Sequence, residues 1–203
     1  MLSYIDYTVD GYAARASRDG GATFGGEVLA LADRDAEGWL MPNTKTINPV
    51  THSMAIDTSS GPHRGTVVIV APERRDVLLT RSADGGKTWS APQRLAGNGD
   101  VLFPAVGIDP ANGDVVVSWL DRRDDPNNVV ARLYAVRSTD GGATFTAPRP
   151  FSSPFALANR MGDYDVCAVD SGRAVRAFST ASGHAAVARL DFAIPPRRRA
   201  VGH

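Results

Sequence analysis

Apolar residues arrive in short runs separated by clusters of Gly, Pro, Asp and Ser. The clearest are Thr66-Val67-Val68-Ile69-Val70-Ala71, Val77-Leu78-Leu79-Thr80-Arg81, Val115-Val116-Val117-Ser118-Trp119-Leu120 and Val129 to Arg137. Runs of this length, rich in β-branched residues and bounded by turn formers, predict strands. Three shorter runs align with one another: Met54-Ala55-Ile56-Asp57, Val106-Gly107-Ile108-Asp109 and Cys167-Ala168-Val169-Asp170. Bulky residues fall on one face of each and small ones on the other, as a strand packed closely on both sides requires.

The turns between runs carry a repeat. Ser17-Arg18-Asp19-Gly20-Gly21-Ala22-Thr23-Phe24, Ser82-Ala83-Asp84-Gly85-Gly86-Lys87-Thr88-Trp89 and Ser138-Thr139-Asp140-Gly141-Gly142-Ala143-Thr144-Phe145 share the form Ser-x-Asp-Gly-Gly-x-Thr-aromatic. The aspartate offers oxygens to backbone N–H groups a few residues on, and the glycines accept positive φ. Each copy predicts a hairpin turn with its aromatic ring folded back over the hairpin. A calcium loop would need several more spaced carboxylates, so the aspartates are read as structural.

Taken in order, residues 1–16 hold two β-like runs, followed by the first turn and a return strand from Gly25 to Ala32. The stretch 33–50 has no clear period, and Trp39 reads as an aromatic plug in a loop. From residue 51 a unit of four strands is legible, its last strand running from Trp89 to Leu95. A second unit repeats the order and ends at Phe145 to Pro148. A last unit has a first strand ending at Asp170, then Arg173 to Ser179 and Ala185 to Phe192. Serial four-stranded antiparallel units of about 50 residues predict an all-β fold, a β-propeller. The blades are placed at roughly 1–32, 51–97, 101–151 and 163–192, with 195–203 a disordered tail. Four-bladed closure, with residues 1–16 completing the last blade, is one solution. The favoured one is an incomplete portion of a six-bladed ring lacking N-terminal blades.

Composition narrows the function classes. Lys+Arg 22 balance Asp+Glu 22, so no basic field points to nucleic acid. No run of 18 apolar residues is present to span a membrane, and residues 1–25 show no signal peptide. Cys167 is single and takes a Met/Val position, so it is expected to be a buried, inert thiol. His52, His63, His184 and His203 lack metal-ligand spacing, and neither metal nor cofactor is expected.

Loops of an up-and-down sheet leave from alternate ends. The Asp-Gly-Gly turns therefore share one end with the turns joining first and second strands. Glu73-Arg74-Arg75-Asp76, Asp121-Arg122-Arg123-Asp124-Asp125, His52, Asp163 and Tyr164 reach the other. There Arg74, Arg75, Arg122, Arg123 and His52 are ligand-binding candidates, the arginines suited to a carboxylate or sulfate. Glu73, Asp121, Asp163 and Tyr164 are the weak catalytic candidates, able to hold sugar hydroxyls or assist proton transfer.

The triplicated turn resembles the Asp-box, or BNR, repeat of sialidase-like β-propellers. Phe103-Pro104-Ala105-Val106-Gly107-Ile108-Asp109-Pro110, Trp119-Leu120-Asp121-Arg122-Arg123-Asp124 and Met161-Gly162-Asp163-Tyr164 resemble a bacterial exo-sialidase-like branch. The resemblance implies a six-bladed, usually secreted ring directed at glycans. It also implies, for an active sialidase, three arginines on the sugar carboxylate, a tyrosine nucleophile with a glutamate, and an aspartate acid/base. The Phe/Tyr-Arg-Ile-Pro segment that bears the first arginine is absent here, and Glu27, Glu37 and Glu73 are the only glutamates. The reading is a module that binds glycan or protein. The alternative is a portion of a glycoside hydrolase cleaving terminal acidic sugars.

Overall fold

A computed structural model describes residues 1–32, 51–73, 75–96, 100–157, 166–180 and 185–192, and the backbone of 39–40 and 47–48. Arg74, Asp163, Tyr164, the Met161-Gly162 pair and the tail all lie outside these residues, as does most of the 33–50 stretch.

The described chain is all β. The first sheet holds β1 (Leu2–Asp6), β2 (Gly11–Arg15) and β3 (Val28–Ala32); β4 (Trp39–Leu40) and β5 (Ile47–Asn48) pair with each other. The second holds β6 (Ser53–Ile56), β7 (Val67–Glu73), β8 (Asp76–Ser82) and β9 (Gln93–Arg94). The third holds β10 (Val101–Ile108), β11 (Val115–Asp121), β12 (Val130–Ser138) and β13 (Arg149–Pro150), with β14 (Phe155–Ala156) also on β12. The last holds β15 (Val166–Asp170), β16 (Arg173–Ser179) and β17 (Ala185–Asp191). Neighbours within each of these four sheets follow sequence order and run antiparallel.

The fourth strands are shorter than their sequence suggests. Pro92 and Pro148 have no N–H to give a ladder. Before them one backbone–backbone bond forms in each, Ser90 N to Arg81 O and Thr146 N to Arg137 O, both 2.9 Å, with the Ser90 and Thr146 hydroxyls accepting from the N–H groups of Arg81 and Arg137. Pairing resumes over two residues at β9 and β13.

The sheets stack face to face, and β11 shows why its sequence is almost wholly apolar. Val115, Val117 and Trp119 join Val68, Val70 and Leu79 of the second sheet in one core. Val116 packs with Cys167 and Val169 of the last sheet, and Leu120 with Phe178. Both faces are dry, so period-two polarity gives way to a continuous run. Cys167 is buried as expected, and burial pushes its thiol pKa up. The small face of the first strands is also explained: a Cβ on Gly107 would stand 2.6 Å from Val169 Cγ2 and 2.9 Å from Cys167 O. The aspartate that follows continues the link. Asp109 accepts from Ala111 N at 2.8 Å within its own turn and from Gly172 N of the next sheet at 2.7 Å.

β10 is bulged between Leu102 and Ala105, where Phe103 sits at φ 48 ahead of Pro104. The bulge leaves the Phe103 carbonyl out of the ladder. Arg176, fully buried on β16, donates to it and to Ser118 Oγ at 3.2 Å.

All three Asp-Gly-Gly copies close in the same way. In the middle one, Ser82 Oγ donates to Asp84 Oδ1 at 2.8 Å and accepts from Gly86 N at 2.8 Å. Asp84 accepts from Thr88 N at 2.9 Å and from Thr88 Oγ1 at 2.6 Å. Gly85 and Gly86 stand at φ 73 and 88. Thr88 and then Ser82 hold the Asp84 carboxyl far below its ordinary value of 3.8. Trp89 and Phe145 fold over Gly86 and Gly142 as expected, whereas Phe24 stays 44% exposed. The difference is the neighbour: Met1, just before the first sheet, presses on Gly86, and Val68 and Arg81 of the second lie beside Gly142, while a Cβ on Gly21 would meet nothing within 4 Å.

Gly107→Ala is expected to cost about 1–3 kcal/mol through overpacking, read as a lower urea midpoint at unchanged slope; an unchanged midpoint would contradict the close approach. Asp84→Ala is expected to lower Tm at pH 7 by on the order of 2–4 °C. A carboxyl depressed in the folded state stabilises above its ordinary pKa, and that contribution fades as pH falls below about 4. The Tm gap between the two proteins should therefore narrow in acid, and a constant gap from pH 7 to 3 would refute this.

Candidate functional site

Register places the two kinds of loop at opposite ends of the sheets. Val67 pairs with both Ile56 and Ser82, while Glu73 pairs with Asp76 at the far end of the same strands. Val115 pairs with Ile108 and Ser138, and Asp121 with Val101 and Arg132. Seven residues of strand, roughly 20 Å, thus separate the Asp-Gly-Gly turns from the acidic-arginine loops.

At the acidic-arginine end lies a polar pocket of about 210 Å³ between the second and third sheets. Arg75 reaches it from the β7–β8 turn; Asp100 stands just before β10; Arg122, Arg123, Asp125 and Asn128 come from the β11–β12 loop. Three of the predicted ligand-binding arginines therefore meet. His52 lies elsewhere, with Ser3 Oγ 2.9 Å from its Nε2 and its ring 5.1 Å from that of Tyr12. Burial lowers its pKa and favours the neutral ring.

The loop is built from local carboxylates. Asp125 accepts from the backbone N–H groups of Asn127, Val129 and Val130 at 2.7–2.9 Å, and these bonds hold its pKa down. Asp121, fully buried, accepts from Trp119 Nε1, Arg123 N and Arg123 Nε at 2.8 Å each, and from Arg123 Nη2 at 2.5 Å. The catalytic candidate Asp121 is thus engaged by its own loop. Arg123 stacks on Tyr134, its guanidinium 4.7 Å from the ring centre. Tyr134 donates to Asp124 at 2.6 Å, and burial and then that carboxylate push its phenol pKa up to about 12.

Arg122 is buried and ion-paired with Asp100, and it donates to the Asn128 carbonyl. Such a pair costs desolvation on both sides and holds only when its remaining bonds are made. Asp100 is 2% exposed, and its Oδ1 accepts no hydrogen bond. Arg75 Nε stands 3.7 Å from that oxygen, and the Arg75 side chain is 70% exposed. Glu73 takes a different partner, Arg94 at 2.5 Å, which also donates to Asp76 at 2.8 Å.

The middle turn matches the family model described as BNR/Asp-box repeat, over residues 80–91. The fold is similar to that of the Hadza microbial sialidase Hz136, with 17% identity and a TM-score of 0.59, covering 92% of this chain. The chain thus carries a BNR/Asp-box repeat and shares its fold with a sialidase. NanB sialidase from Streptococcus pneumoniae matches at 12% identity and TM-score 0.49, and the GH93 alpha-L-arabinofuranosidase of Fusarium graminearum at 14% and 0.48, each over 83% of this chain. The chain spans 39%, 23% and 48% of these three chains in turn. No curated protein matches it.

Two residues of the pocket escape a sequence reading. Asp100 ends Gly97-Asn98-Gly99-Asp100, which reads as one more turn, and Asn128 sits among loop formers. The available signal for Asp100 was its place, a polar residue just before a first strand, as His52 and Asp163 are. Among the described residues no three His, Cys, Asp or Glu side chains come together to hold a metal, and no helix is long and apolar enough to cross a membrane.

Arg122→Leu is expected to destabilise the protein by roughly 3–5 kcal/mol, because it strands the Asp100 carboxylate in the interior. Adding Asp100→Asn to it should recover part of the loss. Equal stability of the single variant and the parent in urea would refute the buried pair.

Proposed function

We propose that this Asp-box protein is a glycan-binding module whose ligand sits at the acidic-arginine end of the sheets. The observation that carries the reading is the convergence of Arg75, Asp100, Arg122 and Arg123 from two sheets on one polar pocket. Backbone pairing consumes little of this end, and the side chains there are forked donors and carboxylates suited to hydroxyl-rich molecules. Arg74, Asp163 and Tyr164, outside the described residues, are proposed from the sequence pattern to join this face. Glu73 and Asp121, each tied to an arginine, serve to hold the loops rather than to transfer protons.

The chain is further proposed to form part of a six-bladed propeller with blades preceding the first sheet. In support, it spans only 39% of the Hz136 sialidase, and Phe24 is the one turn aromatic left 44% exposed, without a sheet to cover it. The last sheet likewise exposes Val166 and Val187 on its outer face.

On a glycan array the purified chain is expected to bind oligosaccharides. With 4-methylumbelliferyl sialosides and neutral aryl glycosides it is expected to release no fluorophore. An array without signal would overturn the glycan reading, and turnover would replace the binding module with a hydrolase.

A further inference from the structure

We infer that the pocket selects a neutral, hydroxylated sugar ring over an acidic one, with the Asp100 carboxylate as the acceptor for a ligand hydroxyl. This rests on the proposed glycan-binding function and concerns the chemistry of the same pocket.

The arginines at this end suggest an anion, but the structure shows how most of their charge is already used. Arg122 faces Asp100. Arg123 is doubly bonded to Asp121 and stacked on Tyr134. Among the described residues the three arginines of the pocket are matched by three carboxylates, those of Asp100 and Asp125 on its wall and of Asp121 bonded to Arg123, so these groups leave no excess positive charge to hold an anion. Among the described residues Arg75 alone of the three makes no hydrogen bond to a carboxylate, and its side chain is 70% exposed, where a charge is screened.

The acceptor side is different. Asp100 Oδ1 is buried and unbonded in a protein interior where such atoms nearly always have partners. Arg75 at 3.7 Å is too far to supply a hydrogen bond. A sugar hydroxyl donating to Oδ1 would satisfy it without adding charge. An incoming carboxylate would instead face that oxygen and the Asp125 carboxylate on the same wall, two like charges at close range. At about 210 Å³ the pocket lies below the roughly 300–1,000 Å³ of sites for drug-sized ligands, which suits one small ring.

The test pairs lactose with 3′-sialyllactose and methyl β-D-glucoside with methyl β-D-glucuronide, alongside every neutral glycan bound on the array and its acidic counterpart. Affinities are measured at 50 mM and 500 mM NaCl. The neutral member of each bound pair is expected to bind at least 10-fold more tightly, with less than a 2-fold change between the two salt concentrations. Asp100→Asn should weaken neutral binding at least 10-fold, and the salt series on the parent chain stands as the readout if that variant fails to fold. Preference for the acidic members, or weakening in salt, would overturn the inference while leaving glycan binding intact. Absence of binding to any glycan would overturn both.

Discussion

Burial of both faces of a sheet is the constraint on which this molecule depends. The third sheet packs Val117 and Trp119 against the second and Val116 and Leu120 against the last. Once sheets stack in series, no sheet face between them can meet solvent, and side-chain chemistry is driven to the strand ends. Close stacking in turn needs small residues where backbones approach, which is the role of Gly107 against Val169 and Cys167. Asp109, bonded to Gly172 N, ties the same two sheets through hydrogen bonds as well as contact.

The two ends solve the same problem, closing a loop, with different consequences. At one end the Ser-x-Asp-Gly-Gly-x-Thr turn spends its aspartate on bonds within four residues, and three copies do so alike. Those carboxylates are taken up by their own turns. At the other end Asp121 and Asp125 also bond within their loop, but Asp100 is held by an arginine far along the chain and keeps one oxygen unbonded. A buried ion pair with a spare acceptor is a poor device for stability and a useful one for recognition. The candidate site therefore arises where turn chemistry stops being local.

Hairpins, strand order and the opposition of the two ends were legible in the chain, because each rests on neighbours within a few residues or on strand parity. Ser82, Asp84 and Thr88 announce their own turn, and the run at Val115 announces a strand with two dry faces. The length of the fourth strands is not legible where Pro92 and Pro148 interrupt pairing, since a proline's missing N–H matters only once its partner strand is known. The exposure of Phe24 was equally hidden, because its motif is the same as that of Phe145 and only the adjoining sheet differs.

What the sequence by itself determined is thus the local geometry: turns closed by side chains four residues apart, and strands set by the period of their apolar positions. Only the tertiary structure decided which arginines are spoken for. Arg122 and Arg123 are adjacent and chemically identical in the chain, yet one pairs with Asp100 across the sheet and the other with Asp121 two residues away. Arg75 reaches the same pocket from a different sheet. Charge becomes balanced or left open through distances set by the stacking of sheets, and those distances are written in no single stretch of residues.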